Sequence, residues 1–136
     1  MRKSLFVALV CSALVCAFVL PNLSAMEAPG DMVLKAPEGV KARFSPVEFS
    51  HDAHSALDCE SCHHMLAENP DNYNCMTEGC HDLFNPTSVE EKKDIAYFYN
   101  AFHDRRSEHS CLGCHMAKKK AGETTGPLAC TQCHPK

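Results

Sequence analysis

Eight cysteines of the chain fall into four pairs, and a histidine directly follows each pair. Three pairs have two intervening residues: Cys59-Glu60-Ser61-Cys62-His63, Cys111-Leu112-Gly113-Cys114-His115 and Cys130-Thr131-Gln132-Cys133-His134. The fourth, Cys75-Met76-Thr77-Glu78-Gly79-Cys80-His81, has four. Cys-x-x-Cys-His is the spacing that attaches c-type haem. Two thiols add to the two vinyl groups of one porphyrin, and the next residue brings its imidazole under the ring to the iron. A zinc reading leaves four Cys2His sets, each one ligand short of a closed tetrahedral site. A disulfide framework, the ordinary reading of cysteine-rich exported chains, explains none of the histidines. The chemistry expected is covalent attachment of four haem c groups through Cys59, Cys62, Cys75, Cys80, Cys111, Cys114, Cys130 and Cys133.

A proximal histidine fills one axial position on each iron, here His63, His81, His115 and His134. The second position decides between ligand chemistry and pure electron transfer. Five histidines remain for it: His51, His54, His64, His103 and His109. His64 cannot serve the iron held by His63, because neighbouring Cα atoms lie only about 3.8 Å apart and axial ligands approach from opposite faces. His51 and His54, three residues apart, share one side of a helical turn and therefore go to different irons. His103 lies on an apolar stripe with Ile95, Phe98, Tyr99 and Phe102, whereas His109 follows the polar run Asp104-Arg105-Arg106-Ser107-Glu108. His103 is thus expected to be the last ligand and His109 a solvated side chain. Every iron then has two imidazoles, which removes the need for Met32, Met65, Met76 or Met116 as a ligand. It also implies low reduction potentials, since a methionine ligand would raise them.

These residues need a scaffold, and the sequence supplies little conventional material for one. Arg2-Lys3, the apolar run Leu5–Leu20, Pro21 and Leu23-Ser24-Ala25 read as a secretory signal peptide removed after residue 25, taking Cys11 and Cys16 with it. The expected division is 1–25 signal peptide and 26–136 a single haem-binding domain in the periplasm, with no permanent membrane insertion. In those 111 residues only 16 are Leu, Ile, Val or Phe, and 17 acidic residues outnumber 11 basic ones. A chain so poor in aliphatic residues does not fold on its own core; small domains of this kind are completed by staples or cofactors. Four porphyrins would supply that interior, and a cavity beside the cysteines is expected to be a haem site. The acidity argues against a nucleic-acid partner.

The expected architecture is a small, mostly α and irregular fold with a short β-hairpin near the N-terminus. Val40, Ala42 and Phe44 alternate with polar residues before Ser45-Pro46, and Val47 and Phe49 follow, so these segments are expected to pair. Ser88-Val89-Glu90-Glu91 has the form of a capping box, predicting an amphipathic helix that runs on through Ile95 to His103.

In order and spacing the motifs resemble the tetrahaem cytochrome c3 family, the class III c-type cytochromes of sulfate-reducing bacteria. The residues carrying the resemblance are His51 and His54, Cys59–His64, Cys75–His81, Ala101-Phe102-His103 and the last two attachment motifs. It implies the pairs His51–His63, His64–His81, His54–His115 and His103–His134, and an electron carrier rather than an enzyme. It also implies hydrogenase as electron donor and a membrane-bound cytochrome complex as acceptor, in anaerobic sulfate respiration. Two departures stand out. Many members have four residues between the cysteines of the last haem, where this chain has two. The best-known basic type is lysine-rich near that haem, whereas here Lys118-Lys119-Lys120 is the only basic run, as in an acidic or type II-like variant. The competing reading is a small multihaem reductase of metals or oxyanions with an open haem iron.

Overall fold

Frequent prolines, glycines and short polar side chains keep the regular elements among the described residues short. A computed structural model describes residues 28–136, so the expected signal peptide lies outside the described residues. Two three-residue strands, β1 (Met32–Leu34) and β2 (Val47–Phe49), form one antiparallel sheet, with Met32 opposite Phe49, Val33 opposite Glu48 and Leu34 opposite Val47. Single 3-10 turns follow at Asp52–His54, Cys59–Ser61 and Glu91–Lys93. The α-helices are α1 (Phe98–His103), α2 (Cys111–Ala121) and α3 (Cys130–Cys133).

The sheet includes the expected second strand with a different partner. Gly39 adopts φ +81°, and the Val40 N–H closes a turn on the Pro37 carbonyl. The alternating Val40–Phe44 stretch therefore leads out of a turn instead of pairing with β2, and Phe44 lies against the His134 ring at 5.4 Å. The long helix expected from Ser88 also needs correction. Its capping box forms, with the Glu91 N–H donating to Ser88 Oγ at 3.0 Å and the Ser88 N–H to Glu91 Oε2 at 3.1 Å. Only one turn follows, because Asp94 is extended (ψ 145°) and its side chain accepts the Ala96 N–H. The Ile95 carbonyl, which a continuous helix would use internally, instead accepts the His81 ring N–H at 2.7 Å. Ile95 itself is 77 % exposed.

Helix α2 has complete ends. Ser110 caps it by accepting the Gly113 N–H at 3.0 Å. At the other end Gly122 adopts φ +78°, and the Gly122 and Glu123 N–H groups return to the Lys119 and Lys118 carbonyls, a Schellman closure. Lys118, Lys119 and Lys120 occupy the last turn, where positive charge favours the helix dipole. Ser110 also donates to the Asp104 carbonyl at 2.6 Å, tying the loop that leaves α1 onto the start of α2. A Cβ on Gly113 would overlap the Ser107 carbonyl oxygen and lie 2.6 Å from that of Asp104.

Ser110, 1 % exposed, is buried, whereas none of the described hydrophobic side chains is. Among the described residues the hydrophobic side chains do not close a core by packing on one another, in keeping with their scarcity in the sequence. Among the described residues no helix is long and apolar enough to cross a membrane.

Candidate functional site

The attachment motifs share one closure in spite of their different spacers. The His63 N–H donates to the Cys59 carbonyl at 2.9 Å, and the His134 N–H to the Cys130 carbonyl at 2.8 Å. In the longer motif the His81 N–H donates to the Cys75 carbonyl at 3.0 Å, with the extra residues turning through Gly79 at φ +82°. The four-residue spacer thus brings histidine back to its first cysteine as the two-residue spacer does. None of these eight cysteines is joined to another in a disulfide. Burial raises the Cys62 thiol above its ordinary pKa, and Cys114, Cys75 and Cys59 add to the shift. Burial, with Cys62 next in importance, pushes Cys111 up to about 11; Cys133 and Cys75 also contribute. Cysteines of the first three motifs therefore lie within electrostatic reach of one another, and Cys133 of the fourth reaches Cys111.

Backbone carbonyls fix most of the imidazole rings. Nδ1 faces a backbone carbonyl in His51 (Gly30, 3.4 Å), His54 (Ser50, 2.8 Å), His81 (Ile95, 2.7 Å), His103 (Tyr99, 3.0 Å), His115 (Pro127, 2.8 Å) and His134 (Ser45, 2.6 Å). His63 hydrogen-bonds the backbone of Tyr73. A carbonyl only accepts, so Nδ1 carries the proton and Nε2 keeps its lone pair for a metal. Burial also lowers the His63 and His103 pKa values below the usual imidazole range, favouring the neutral, ligating form.

Three histidine pairs stand at one separation. Ring centres are 6.0 Å apart for His64 and His81, 6.2 Å for His54 and His115, and 6.2 Å for His103 and His134. An imidazole nitrogen stands about 2 Å from a bound metal and little over 1 Å from its own ring centre, so two imidazoles on opposite faces of one metal hold their centres roughly 6 Å apart. His51 and His63 interact electrostatically, His51 helping to lower the His63 pKa after burial. The 3-10 turn over Asp52–His54 separates His51 from His54, and the strand residue Phe49 packs on both rings, each at 4.9 Å. Gly126 approaches His115 so closely that a Cβ there would come within 2.5 Å of its Cε1.

Sequence reasoning missed several supporting groups. The carbonyl acceptors left no signal, because every residue has one. The aromatic supports were more legible: Tyr99 stacks on His103 from one helical turn earlier, with ring centres 4.0 Å apart and planes within 5°. Tyr73 meets His63 edge-on at 5.2 Å. His109 is exposed as expected, yet its Nδ1 donates to the Ser61 carbonyl at 3.1 Å and its ring lies 5.0 Å from that of His64. A cavity of about 520 Å³ opens beside Cys114, lined by Leu57, Ala117, Ala121 and His109. Paired cysteines, facing imidazoles with free Nε2 atoms and a cavity of mixed apolar and polar lining fit haem as a bound group.

Residues 29–134 match the Class III cytochrome C family. Cytochrome c3 of Maridesulfovibrio salexigens is 50 % identical over 111 residues, covering 82 % of this chain and 98 % of that protein. Cytochrome c3 of Desulfovibrio desulfuricans is 46 % identical over 111 residues, covering 82 % and 99 %. The solved di-tetraheme cytochrome c3 from Desulfovibrio gigas superimposes with a TM-score of 0.66 at 38 % identity, over 80 % of this chain and 97 % of that one.

Proposed function

The chain belongs to the class III cytochrome c family of multihaem electron carriers, and on that premise we propose that it is a low-potential periplasmic carrier in which eight histidines clamp four haems. The axial pairs are His51–His63, His64–His81, His54–His115 and His103–His134. The observation that carries this reading is the common 6.0–6.2 Å separation of three histidine pairs, together with the backbone carbonyls that leave Nε2 free in seven of the eight ligands. When bound, haem supplies reversible one-electron chemistry at iron. Cys59 and Cys62, Cys75 and Cys80, Cys111 and Cys114, and Cys130 and Cys133 anchor one group each. Nδ1–H donation to carbonyls fixes ring orientation and increases ligand basicity. Phe49, Tyr73 and Tyr99 hold their imidazoles by packing. His64, next to His63 in sequence, joins the first and second sites through one peptide bond.

A reductase needs an open iron, and two imidazoles for each iron leave none. The chain is therefore read as a carrier and not an enzyme. Residues 1–25 act as the export signal, with cleavage after Ala25. Hydrogenase is the proposed donor and a membrane-bound cytochrome complex the proposed acceptor, as the family resemblance implies. Lys118 pairs with Glu123 at 3.1 Å, leaving Lys119 and Lys120 as the exposed positive charges at that end of α2. They are the proposed docking charges for an acidic partner surface. Neutralising both should weaken the salt dependence of reduction by hydrogenase; an unchanged salt profile would remove them from the interface.

Intact mass of the exported protein tests the reading. The expected value is that of residues 26–136 plus four haems, about 2.5 kDa in all. A product lacking one haem, or retaining its first 25 residues, would contradict it.

A further inference from the structure

Of the nine histidines, His109 is the one that the proposed ligand pairs leave over. Its placement is nevertheless specific. Nδ1 donates to the Ser61 carbonyl inside the first attachment motif, 48 residues away in sequence, at 3.1 Å. Its backbone N–H meets Ser107 Oγ at 3.3 Å, and the following residue is Ser110, the buried cap of α2. The ring is therefore fastened to the Cys59–Ser61 turn, and the main chain that carries it to the loop beside the buried Ser110. From there it lies along His64, with ring centres 5.0 Å apart and planes 29° apart, an offset aromatic stack.

His64 is the proposed ligand that lacks the support given to the others. Among the described residues no backbone carbonyl accepts from its ring, whereas the remaining seven ligands each bond a backbone group. Its ring contacts are His81 and His109. The His64–His81 pair also differs in orientation: its planes cross at 64°, against 9° for His54–His115 and 9° for His103–His134.

We infer that His109 is a positioning residue that holds the His64 imidazole across the plane of His81, replacing by stacking the carbonyl bond that orients the other ligands. The inference rests on the axial pairs proposed above. Ring orientation has an electronic consequence. Crossed axial imidazoles bring the iron d orbitals that bond with them close in energy and give a low-spin ferric signal of large g anisotropy. Parallel imidazoles split those orbitals and give a rhombic signal.

The test is ferric electron paramagnetic resonance on the four-haem protein and on H109A and H109F, each verified by intact mass. The wild type should show a strongly anisotropic low-spin signal from the iron of the crossed His64–His81 pair. In H109A that signal should move toward the rhombic set while the others stay in place. H109F retains a stacking ring without the Ser61 bond and should restore most of the anisotropy. If H109A fails to take up four haems, H109Q makes the same comparison, because it keeps a donor for Ser61 but no ring. Four unchanged low-spin signals in H109A or H109Q would overturn the positioning role and leave the bis-histidine reading intact. A high-spin iron in the wild type would overturn the bis-histidine reading itself.

Discussion

Cys111–His115 and Cys75–His81 carry the same three reactive groups at opposite extremes of local order. The first opens α2, the longest helix among the described residues, with Ser110 as a buried cap and Gly113 pressed against the loop that leaves α1. The second has no regular element and is stitched by side chains. Asn72 Oδ1 accepts from the Asn74 N–H at 3.1 Å and the Thr77 hydroxyl at 2.8 Å, Asn74 Oδ1 accepts the Met76 N–H at 3.0 Å, and Asp82 accepts the Gly79 N–H at 2.9 Å. Attachment chemistry asks only that two thiols and an imidazole return to one place. A helix meets that need cooperatively, with backbone bonds that any sequence can make. The loop relies on particular polar residues, each bond contributing about 1 kcal/mol. Damage should therefore be concentrated at a few atoms in the first motif and spread thinly over many in the second.

The largest expected effect is at Gly113. A methyl group there overlaps main-chain oxygen, which cannot rotate away, so G113A should destabilise the haem-loaded protein by about 3 kcal/mol, the upper end for overpacking. Thermal unfolding within a degree of the wild type would show that the loop is not pressed on α2. S110A should come next, at about 1–2 kcal/mol, the usual value of a lost N-cap; a denaturant midpoint unchanged by the substitution would contradict it. In the loop motif G79A forces a side chain into the left-handed region and should cost about 1–2 kcal/mol. N72A should cost about 1 kcal/mol. Losses at Gly79 and Asn72 as large as that at Gly113 would erase the contrast between the two motifs.

The smallest effect is pH-dependent. Backbone N–H groups of Thr87 and Ser88, with the Thr87 hydroxyl, hold the Glu91 carboxyl below its ordinary range. A depressed carboxyl pKa stabilises the fold above the unfolded value, and that contribution disappears as pH falls through the folded one. The difference in Tm between wild type and E91Q should be present at neutral pH and vanish in acid. A difference that is the same at both would detach the capping box from the stability of this segment.

What the sequence made legible follows the chemistry more than the backbone. Cysteine and histidine types at fixed spacing identify attachment directly, because few residues can do that work. That His51 and His54 lie on one helical turn is equally readable from their spacing, and the 3-10 turn Asp52–His54 follows His51. The break at Asp94 was not, since the apolar stripe from Ile95 to His103 is the same whether one helix or two pieces carry it. What decides is the Ile95 carbonyl, taken by His81, and main-chain acceptors leave no trace in residue types. The partner of β2 is hidden for a related reason: the alternation in Val40–Phe44 has the form of a strand, yet Phe44 stays 46 % exposed and its neighbour is the His134 ring. His109 looked solvated because its flanks are polar, and only the fold brings Ser61 and His64 to it.

The central claim, that two imidazoles fill both axial positions of every iron, is tested most directly by adding carbon monoxide to the fully reduced protein. The account predicts a visible spectrum unchanged from that of the reduced protein alone. A shift of a quarter of the Soret absorbance or more would reveal at least one open iron and contradict it.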